Sequence, residues 1–330
     1  MTALIIPFLL FCAGVVLLLV AGDFLVRGSA AIAHKWGVPS LIVGLTIVAF
    51  GTSAPEMIVS VQAVLRGSGE LAIGNVVGSN IANVLLVLGV PALIRFIPTN
   101  VAGVGRNSAV VIVASLVLIA LMFVHNPLLR WQGAILFAGI VLYLYWMFKL
   151  AKAGAEDPAL AEMAELAEMQ GLPKSWLTMI GFTLFGVIGL AFGGDLIVDN
   201  ATKIAKGFGV SEALIGLTIV AIGTSLPELA TVLVASWRGQ NEVAIGNVLG
   251  SNIFNIFAVM GAAALAGPVA VPTKFFVFDV WVMLAASVAL TLYVFRRAPI
   301  GRKTGLLFLL AYIFYIAAIG RDIVGAGAGI

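Results

Sequence analysis

The chain has 330 residues, of which 62% are hydrophobic and only 10% are charged. Because a soluble domain is about one quarter charged, this composition excludes an ordinary soluble globular protein. The net charge of +3 says little about partners, since in a membrane protein the position of the charges matters more than their sum. A single cysteine, Cys12, excludes an internal disulfide and a cysteine-rich metal site.

Apolar stretches recur along the whole chain, and each is long enough to cross a hydrocarbon layer of about 30 Å. The apolar start of the chain has no basic segment before it, so it is interpreted as the first span rather than as a signal peptide. The sequence predicts ten membrane spans, at 3–33, 39–65, 71–94, 107–124, 128–149, 175–204, 211–237, 243–265, 276–295 and 303–320.

The distribution of lysine and arginine predicts the direction of these spans. Of the 18 basic residues, twelve follow odd-numbered spans and six follow even-numbered spans. Since basic residues concentrate in cytoplasmic loops, odd-numbered spans are predicted to end inside. The protein is therefore expected in the cell (inner) membrane as a multi-pass protein, with both termini outside the cytoplasm. The polar segment 151–174 becomes a cytoplasmic linker, predicted as a solvated amphipathic helix.

The two halves of the chain repeat each other at an offset of 172 residues. Between 44–89 and 216–261, 27 of 46 residues are identical. Five spans per copy, an odd number, make the second copy enter the membrane from the opposite side, an arrangement found in many secondary transporters. The predicted fold is thus an all-α membrane protein of ten helices, built as two inverted five-helix repeats (1–150 and 175–330) with broken helices 2/3 and 7/8.

Each repeat contains a carboxylate deep within an apolar span, in "GTSAPE" and "GTSLPE". Glu56 and Glu228 each stand ten residues before an arginine that ends the span, which places both about 15 Å from a membrane face. Both therefore lie near the middle of the bilayer. Buried acids at that depth need a partner, and none of the predicted spans has a lysine or arginine at the same level. The sequence predicts a bound cation as the counter-charge.

The residues around these glutamates offer further oxygen ligands. Proline in each motif removes a backbone donor, so the helix is predicted to be interrupted there and to free backbone carbonyls near Ala49 and Ala221. Hydroxyl and amide side chains share helix faces at a spacing of four residues. An oxygen set without histidine or cysteine suits Ca²⁺, and Na⁺ accepts the same ligands. These side chains are Thr52, Thr224, Ser79, Asn83, Ser251 and Asn255.

The paired motifs resemble the two alpha repeats of the sodium/calcium exchangers of bacterial and archaeal type, within the calcium:cation antiporter superfamily. The resemblance covers essentially the whole chain and implies exchange of Ca²⁺ for Na⁺ by alternating access, with one monomer sufficient for a site. It implies that Glu56 and Glu228 are the central Ca²⁺ ligands and that Asn83 occupies an amide position. The flanking Na⁺ positions would be lined by Thr52, Ser53, Thr224 and Ser225, helped by Ser79, Ser251 and the carbonyls of Ala49 and Ala221.

One position departs from the family pattern, because many sodium-driven members have an aspartate where this chain has Asn255. The site then holds two negative charges rather than three, which keeps H⁺/Ca²⁺ antiport as the alternative function. A cation channel is a third reading, although inverted halves favour alternating access. The protein is not expected to be an enzyme, since His34 and His125 fall at span ends. No cofactor, nucleotide or nucleic-acid partner is expected.

Other repeated polar residues have structural interpretations. Inter-helix hydrogen bonding is the expected role of Asn75, Asn80, Asn247 and Asn252. Asp23 and Asp195 occupy equivalent positions nearer the span ends, and a structural or gate-edge role is favoured over a ligand role. The long first and sixth spans that contain them are predicted to move as a gating pair.

Overall fold

A computed structural model describes residues 4–37, 40–154, 172–207, 223 and 225–327. Within these residues the regular structure is helical apart from two isolated β-bridges. The spans, numbered in chain order, are Ile5–Trp36, Gly44–Leu65, Gly69–Ile94, Val104–Val124, Arg130–Gly154, Trp176–Gly207, Leu226–Trp237, Asn241–Ala266, Phe275–Phe295 and Arg302–Gly327.

Nine of the helices in the described part of the chain are long and apolar enough to cross a membrane. Span 7 is described as the shorter apolar helix Leu226–Trp237, and most of the first half of the predicted span 211–237 falls outside the described residues. Most of the predicted linker helix, residues 155–171, also falls outside them. The predicted boundaries of the other spans agree with the helices to within five residues, except that the helix of span 10 continues to Gly327, seven residues beyond its predicted end.

The predicted interruption in span 2 does not lie where the sequence placed it. The α-helix Ala49–Leu65 passes through Pro55 without unwinding, and the irregular turn is a π-helix one turn earlier, at Gly44–Val48. The physical reason is that a proline removes one backbone donor, and a single lost hydrogen bond bends a helix without melting it. In span 7 a helix does begin at the motif, with Pro227 in the first turn, where no donor is needed.

A second motif, Gly-Ser-Asn-x-x-Asn, occurs in both repeats at 78–83 and 250–255, and a π-helical turn begins at its last residue in each. These turns occupy Asn83–Val87 in span 3 and Asn255–Val259 in span 8, which are 172 residues apart. Such turns add a residue to one turn of helix and are frequent at functional sites. In both repeats the turn begins at the second asparagine of the motif, Asn83 or Asn255, so this side chain stands at the start of the widened turn.

Pairs of contacts related by the offset of 172 residues show the pseudo-two-fold axis directly. The backbones of Ile97 and Ile300 exchange two hydrogen bonds of 2.9 Å, and those of Leu128 and Val269 do the same. Position 97 in one repeat corresponds to position 269 in the other, and position 128 to position 300. Each bridge is therefore the symmetry mate of the other, and both join the two repeats.

Buried polar pairs repeat in the same way. Tyr143 donates a hydrogen bond of 3.1 Å to Asn107, and at the equivalent positions Tyr315 donates one of 3.0 Å to Asp279. All four side chains are buried. The same helix-to-helix contact is thus made once with a neutral amide and once with an acid.

Spans 3 and 8 occupy the centre of the molecule. In their most apolar windows, 72% and 89% of the residues are buried, against 22% for span 1. Span 8 lies directly against span 2, because a Cβ atom at Gly250 would stand 2.6 Å from the Cβ of Ala49. Spans 1 and 6 pack on each other at the edge, where the rings of Phe24 and Phe182 are 4.5 Å apart. These two central spans each contain one copy of the Gly-Ser-Asn-x-x-Asn motif.

Candidate functional site

Glu56 and Glu228 lie together at the centre of the molecule. Each side chain is 1% exposed, and the two carboxylates interact electrostatically across the repeat interface. The hydroxyl of Ser53, on span 2, donates to Glu228 Oε1 on span 7 over 3.4 Å. The structure therefore brings the two predicted carboxylates, and one predicted hydroxyl, into a single site.

Thr52 connects span 2 to span 8 beside these carboxylates. Its hydroxyl lies 3.2 Å from Asn247 Oδ1, 3.3 Å from Ser251 Oγ and 3.3 Å from the carbonyl oxygen of Ala49. The Glu228 carboxylate lies near both Thr52 and Ser251. Thr52, Ser251 and the Ala49 carbonyl are thus neighbours, as the predicted ligand set requires. Asn247, expected to bond between helices, does so here.

The two equivalent asparagines Asn83 and Asn255 have different surroundings. Asn83 donates a hydrogen bond of 3.0 Å from Nδ2 to Asn252 Oδ1. Asn255 is fully buried, and neither its Oδ1 nor its Nδ2 has a hydrogen-bond partner among the described residues. Asn75, on span 3, donates hydrogen bonds to Ser60 Oγ and to the backbone carbonyl of Glu56, both on span 2. One amide of the equivalent pair is therefore engaged by the protein, and the other is available to a ligand.

Several buried oxygens around the glutamates accept no hydrogen bond within the described part of the chain. Buried polar atoms are normally satisfied, and an ionised carboxylate is only an acceptor, so a bound cation can satisfy several of these oxygens at once. No cluster of three or more His, Cys, Asp or Glu occurs among the described residues, so the other ligands would be neutral oxygens. The oxygens of the predicted site residues and of Thr231 that have no partner are Glu56 Oε1 and Oε2, Glu228 Oε2, Ser79 Oγ, Ser225 Oγ, Thr231 Oγ1, Asn83 Oδ1 and Asn255 Oδ1.

Two predicted ligands, Ala221 and Thr224, lie outside the described residues. Ser225 is described and buried, at the residue that precedes the span 7 helix. Thr231 is a further candidate that the sequence analysis missed. It is fully buried three residues after Glu228, on the same helix face. Its spacing of three residues from Glu228 is a signal for a shared helix face. Repeat one has Val59 at the equivalent position, so an analysis of features common to both repeats does not find Thr231.

Comparison with known proteins decides the family. The family described as "Sodium/calcium exchanger protein" matches residues 6–149 and 178–320. The chain belongs to the sodium/calcium exchanger family. The exchanger's two matched segments coincide with its two five-span repeats, and the gap between them falls on the linker.

Relatives of this exchanger cover nearly its whole length. It is 40% identical over 306 residues to the putative antiporter CaxA of Alkalimonas amylolytica, covering 92% of this chain and 95% of that one. It is 29% identical over 345 residues to the sodium/calcium exchanger MaX1 of Methanosarcina acetivorans, covering 95% and 98%. A solved structure of the sodium-calcium exchanger NCX_Mj, soaked with Na⁺ and Sr²⁺, superimposes with a TM-score of 0.81 at 31% identity, covering 95% and 99%.

The comparisons confirm the family resemblance and the all-helical fold with inverted repeats. Together with the apolar helices, they show a multi-pass membrane protein of the cation antiporter class. The roles of individual ligands, the linker and the direction of the termini remain predictions.

Proposed function

We propose that this protein exchanges Ca²⁺ for Na⁺ across the cell (inner) membrane by alternating access. The observation that supports the proposal best is the site between the repeats. Two buried carboxylates lie there close enough to interact electrostatically, and three of their four oxygens have no hydrogen-bond partner among the described residues. A divalent cation matches the two negative charges, and its preference for six to eight oxygen ligands fits the surrounding hydroxyls, amides and backbone carbonyls.

Na⁺ is the proposed counter-ion because the site can divide into smaller oxygen sites. Thr52, Ser251 and the Ala49 carbonyl form one group beside Glu228. Ser53 lies on the same side, and Thr224, Ser225 and the Ala221 carbonyl are proposed to form the equivalent group in the other repeat. Na⁺ uses the same hard oxygen ligands as Ca²⁺ but carries one charge, so two or more Na⁺ can replace one Ca²⁺ without leaving the carboxylates uncompensated. The relatives named sodium/calcium exchangers support this choice.

H⁺/Ca²⁺ antiport is the second candidate, and Asn255 is the observation that favours it. This residue is fully buried and cannot carry a charge, so the described site holds two acids and no third. Two protons on Glu56 and Glu228 would neutralise the empty site as completely as two Na⁺ would. The alternative therefore needs no metal ion other than Ca²⁺ to bind.

A flux experiment with purified protein separates these functions. Proteoliposomes are loaded with Na⁺ and diluted into ⁴⁵Ca²⁺ medium, with and without a Na⁺ gradient, and the measurement is repeated with a pH gradient. Na⁺/Ca²⁺ exchange predicts uptake that requires internal Na⁺ at constant pH. Uptake driven by the pH gradient alone would establish the proton-coupled alternative, and uptake without either gradient would indicate a channel.

A further inference from the structure

The two repeats differ at one ion pair, and this difference indicates which side of the site is closed. Asp23 on span 1 accepts a hydrogen bond from Arg238 Nε, at the end of span 7. Arg27, one turn along span 1, lies 3.7 Å from the other oxygen of Asp23. The cluster ties the edge helix of repeat one to a central helix of repeat two.

The equivalent pair in the other repeat is separated. The offset of 172 residues places Asp195 at the position of Asp23 and Arg66 at the position of Arg238. Both side chains are exposed, and neither makes an ion pair with any described residue. An acid and an arginine thus stand at equivalent positions in both repeats, but only one of the two pairs is formed.

The helices also pack more closely around the formed pair than around the separated pair. Span 1 lies against span 7, because a Cβ atom at Gly22 would stand 3.4 Å from the carbonyl oxygen of Ala230. Ala230 is 6% exposed, whereas its equivalent on span 2, Ile58, is 58% exposed. The edge helix therefore covers the site-bearing helix in one repeat and leaves the equivalent face uncovered in the other.

From this asymmetry we infer that Asp23–Arg238 and Asp195–Arg66 are alternative latches, of which one is formed in each access state. The inference rests on the proposed alternating access, in which inverted repeats exchange conformations. When span 6 closes on span 2, the symmetry operation brings Asp195 to Arg66 and parts Asp23 from Arg238. The distribution of basic residues among the loops places Arg238 at the cytoplasmic end of span 7. In the conformation of this structure, the site is therefore closed on its cytoplasmic side.

The third member of each cluster supports the pairing by charge. In repeat one, Arg27 gives the single acid two cations. The equivalent position in repeat two is Asp199, one turn from Asp195 on the same face, so the single cation Arg66 would meet two acids. Each latch thus contains three charges with one of opposite sign in the centre, and the sign of the centre is reversed between them.

Cross-linking tests whether both latches exist and exclude each other. In a Cys12→Ala background, the double variants Asp23→Cys/Arg238→Cys and Asp195→Cys/Arg66→Cys are treated with a short bifunctional thiol reagent in membranes. We expect each pair to cross-link in its double variant. In a protein that carries all four changes, cross-linking at the first pair should prevent cross-linking at the second. A second pair that never reacts in a protein still exchanging Ca²⁺, or that reacts equally after the first is joined, would overturn the inference.

A charge variant tests the inference without cysteines at the first pair, in case the Asp23→Cys/Arg238→Cys protein does not fold. With the reporter Asp195→Cys/Arg66→Cys, the additional change Asp23→Asn should raise the cross-linking rate about fivefold, the effect of losing one partly exposed ion pair. The control Lys149→Gln removes an exposed lysine that stacks on Tyr145 of its own helix, and it should leave the cross-linking rate unchanged. An Asp23→Asn rate equal to that of the control would contradict the latch.

These measurements need no knowledge of the driving ion, so they can fail separately from the proposed function. Ca²⁺ uptake by the Cys12→Ala parent tests exchange, and the cross-linking pattern tests the latches. Normal exchange with a single formed latch would refute the inference alone. If the two latches exclude each other but Na⁺ does not drive Ca²⁺ uptake, the latch inference stands and the proposed Na⁺ coupling is refuted.

Discussion

At the scale of single residues, Glu56 and Glu228 determine what the site can hold. Both are 1% exposed and sit within an apolar core, where removing charge from water is expensive and an opposite charge is strongly favoured. The neighbouring hydroxyls and amides are neutral. The two glutamates therefore provide all the charge that the described site offers to a divalent ion.

Glu56→Gln and Glu228→Gln should each reduce Ca²⁺ uptake by roughly 100-fold or more. Each change removes half of the counter-charge in a medium where a unit charge is worth several kcal/mol. The measurement is ⁴⁵Ca²⁺ uptake into proteoliposomes, with elution volume as the check on folding. Glu70→Gln, at an exposed helix start, is the control and should transport normally. Uptake near the parental rate in either site variant would remove that glutamate from the site.

Asn255→Asp should make Ca²⁺ uptake dependent on pH near neutrality, with activity falling as the medium becomes more acidic. The new acid would stand close to Glu56 and Glu228, and three neighbouring acids ionise together only with a cation present, so protons compete with ions for the site. At alkaline pH the extra charge should tighten cation binding. Uptake is measured from pH 6 to pH 9 at several Ca²⁺ concentrations.

Asn83→Asp provides the matched comparison for this change. Asn83 is at the equivalent position but donates to Asn252, so an acid there loses that hydrogen bond and should impair exchange at every pH. If the Asn255→Asp protein keeps the pH profile and the ion affinities of the parent, Asn255 does not face the ions.

Much of this chemistry could be predicted from the sequence, because both glutamates lie in motifs that occur twice. The depth of each could be counted from the arginine that ends its span, and the structure does bring them together. The different surroundings of Asn83 and Asn255 could not be predicted. Identical residues at equivalent positions look alike in a sequence, and only a particular conformation of the molecule makes them differ. Thr231 was missed for the related reason that only one repeat contains it.

At the scale of helices, the packing of spans 9 and 10 can be tested by giving repeat two the residue that repeat one has at the equivalent position. Asp279 accepts a hydrogen bond from Tyr315, and in repeat one Asn107 accepts the equivalent bond from Tyr143. Asp279→Asn should therefore fold and transport as the parent does. Asp279→Leu leaves the buried tyrosine hydroxyl without this acceptor and should lower the free energy of unfolding by about 1–3 kcal/mol.

Thermal melting of the purified variants in detergent measures this difference. Tyr315→Phe, which removes the donor instead, should leave Asp279 without this bond and show a loss of similar size. If Asp279→Asn were as unstable as Asp279→Leu, the charge of this residue would be required, and the two repeats would not be equivalent here.

Helix positions followed from the apolar stretches, but the irregular turns within them did not. The residues of Gly44–Val48 and Asn83–Val87 have the composition of ordinary membrane helix, so no local signal distinguishes a π-helical turn from an α-helical one. The glycine and proline of the motif are visible signals, and they led to an interruption predicted one turn too late in span 2. The ion pair between Asp23 and Arg238 joins residues 215 positions apart, and its equivalent is open, so the repeat itself gave no guide to it.

At the scale of the whole molecule, the predicted topology places both termini outside and the linker 151–174 inside. A cysteine introduced at Glu165 in a Cys12→Ala background should react with an impermeant thiol reagent only after the membrane is permeabilised. His125→Cys, between spans 4 and 5, should react from the outer face of intact cells. The opposite pattern at both sites would reverse the orientation, and with it the side on which the described state is closed.

The two backbone bridges between the repeats have a consequence for the origin of the chain. Ile97 meets Ile300, and Val269 meets Leu128, so each repeat uses the same two positions, one in the loop after its third span and one in the loop after its fourth. In a two-fold symmetric dimer, one patch contacts a second patch on the partner and receives the same contact in return. Two separate copies of a five-helix ancestor, inserted in opposite directions, could form both bridges with residues 97 and 128 alone. Gene duplication and fusion would then have preserved a contact already present in a dual-topology dimer. The linker between the halves would be the newest part of the protein.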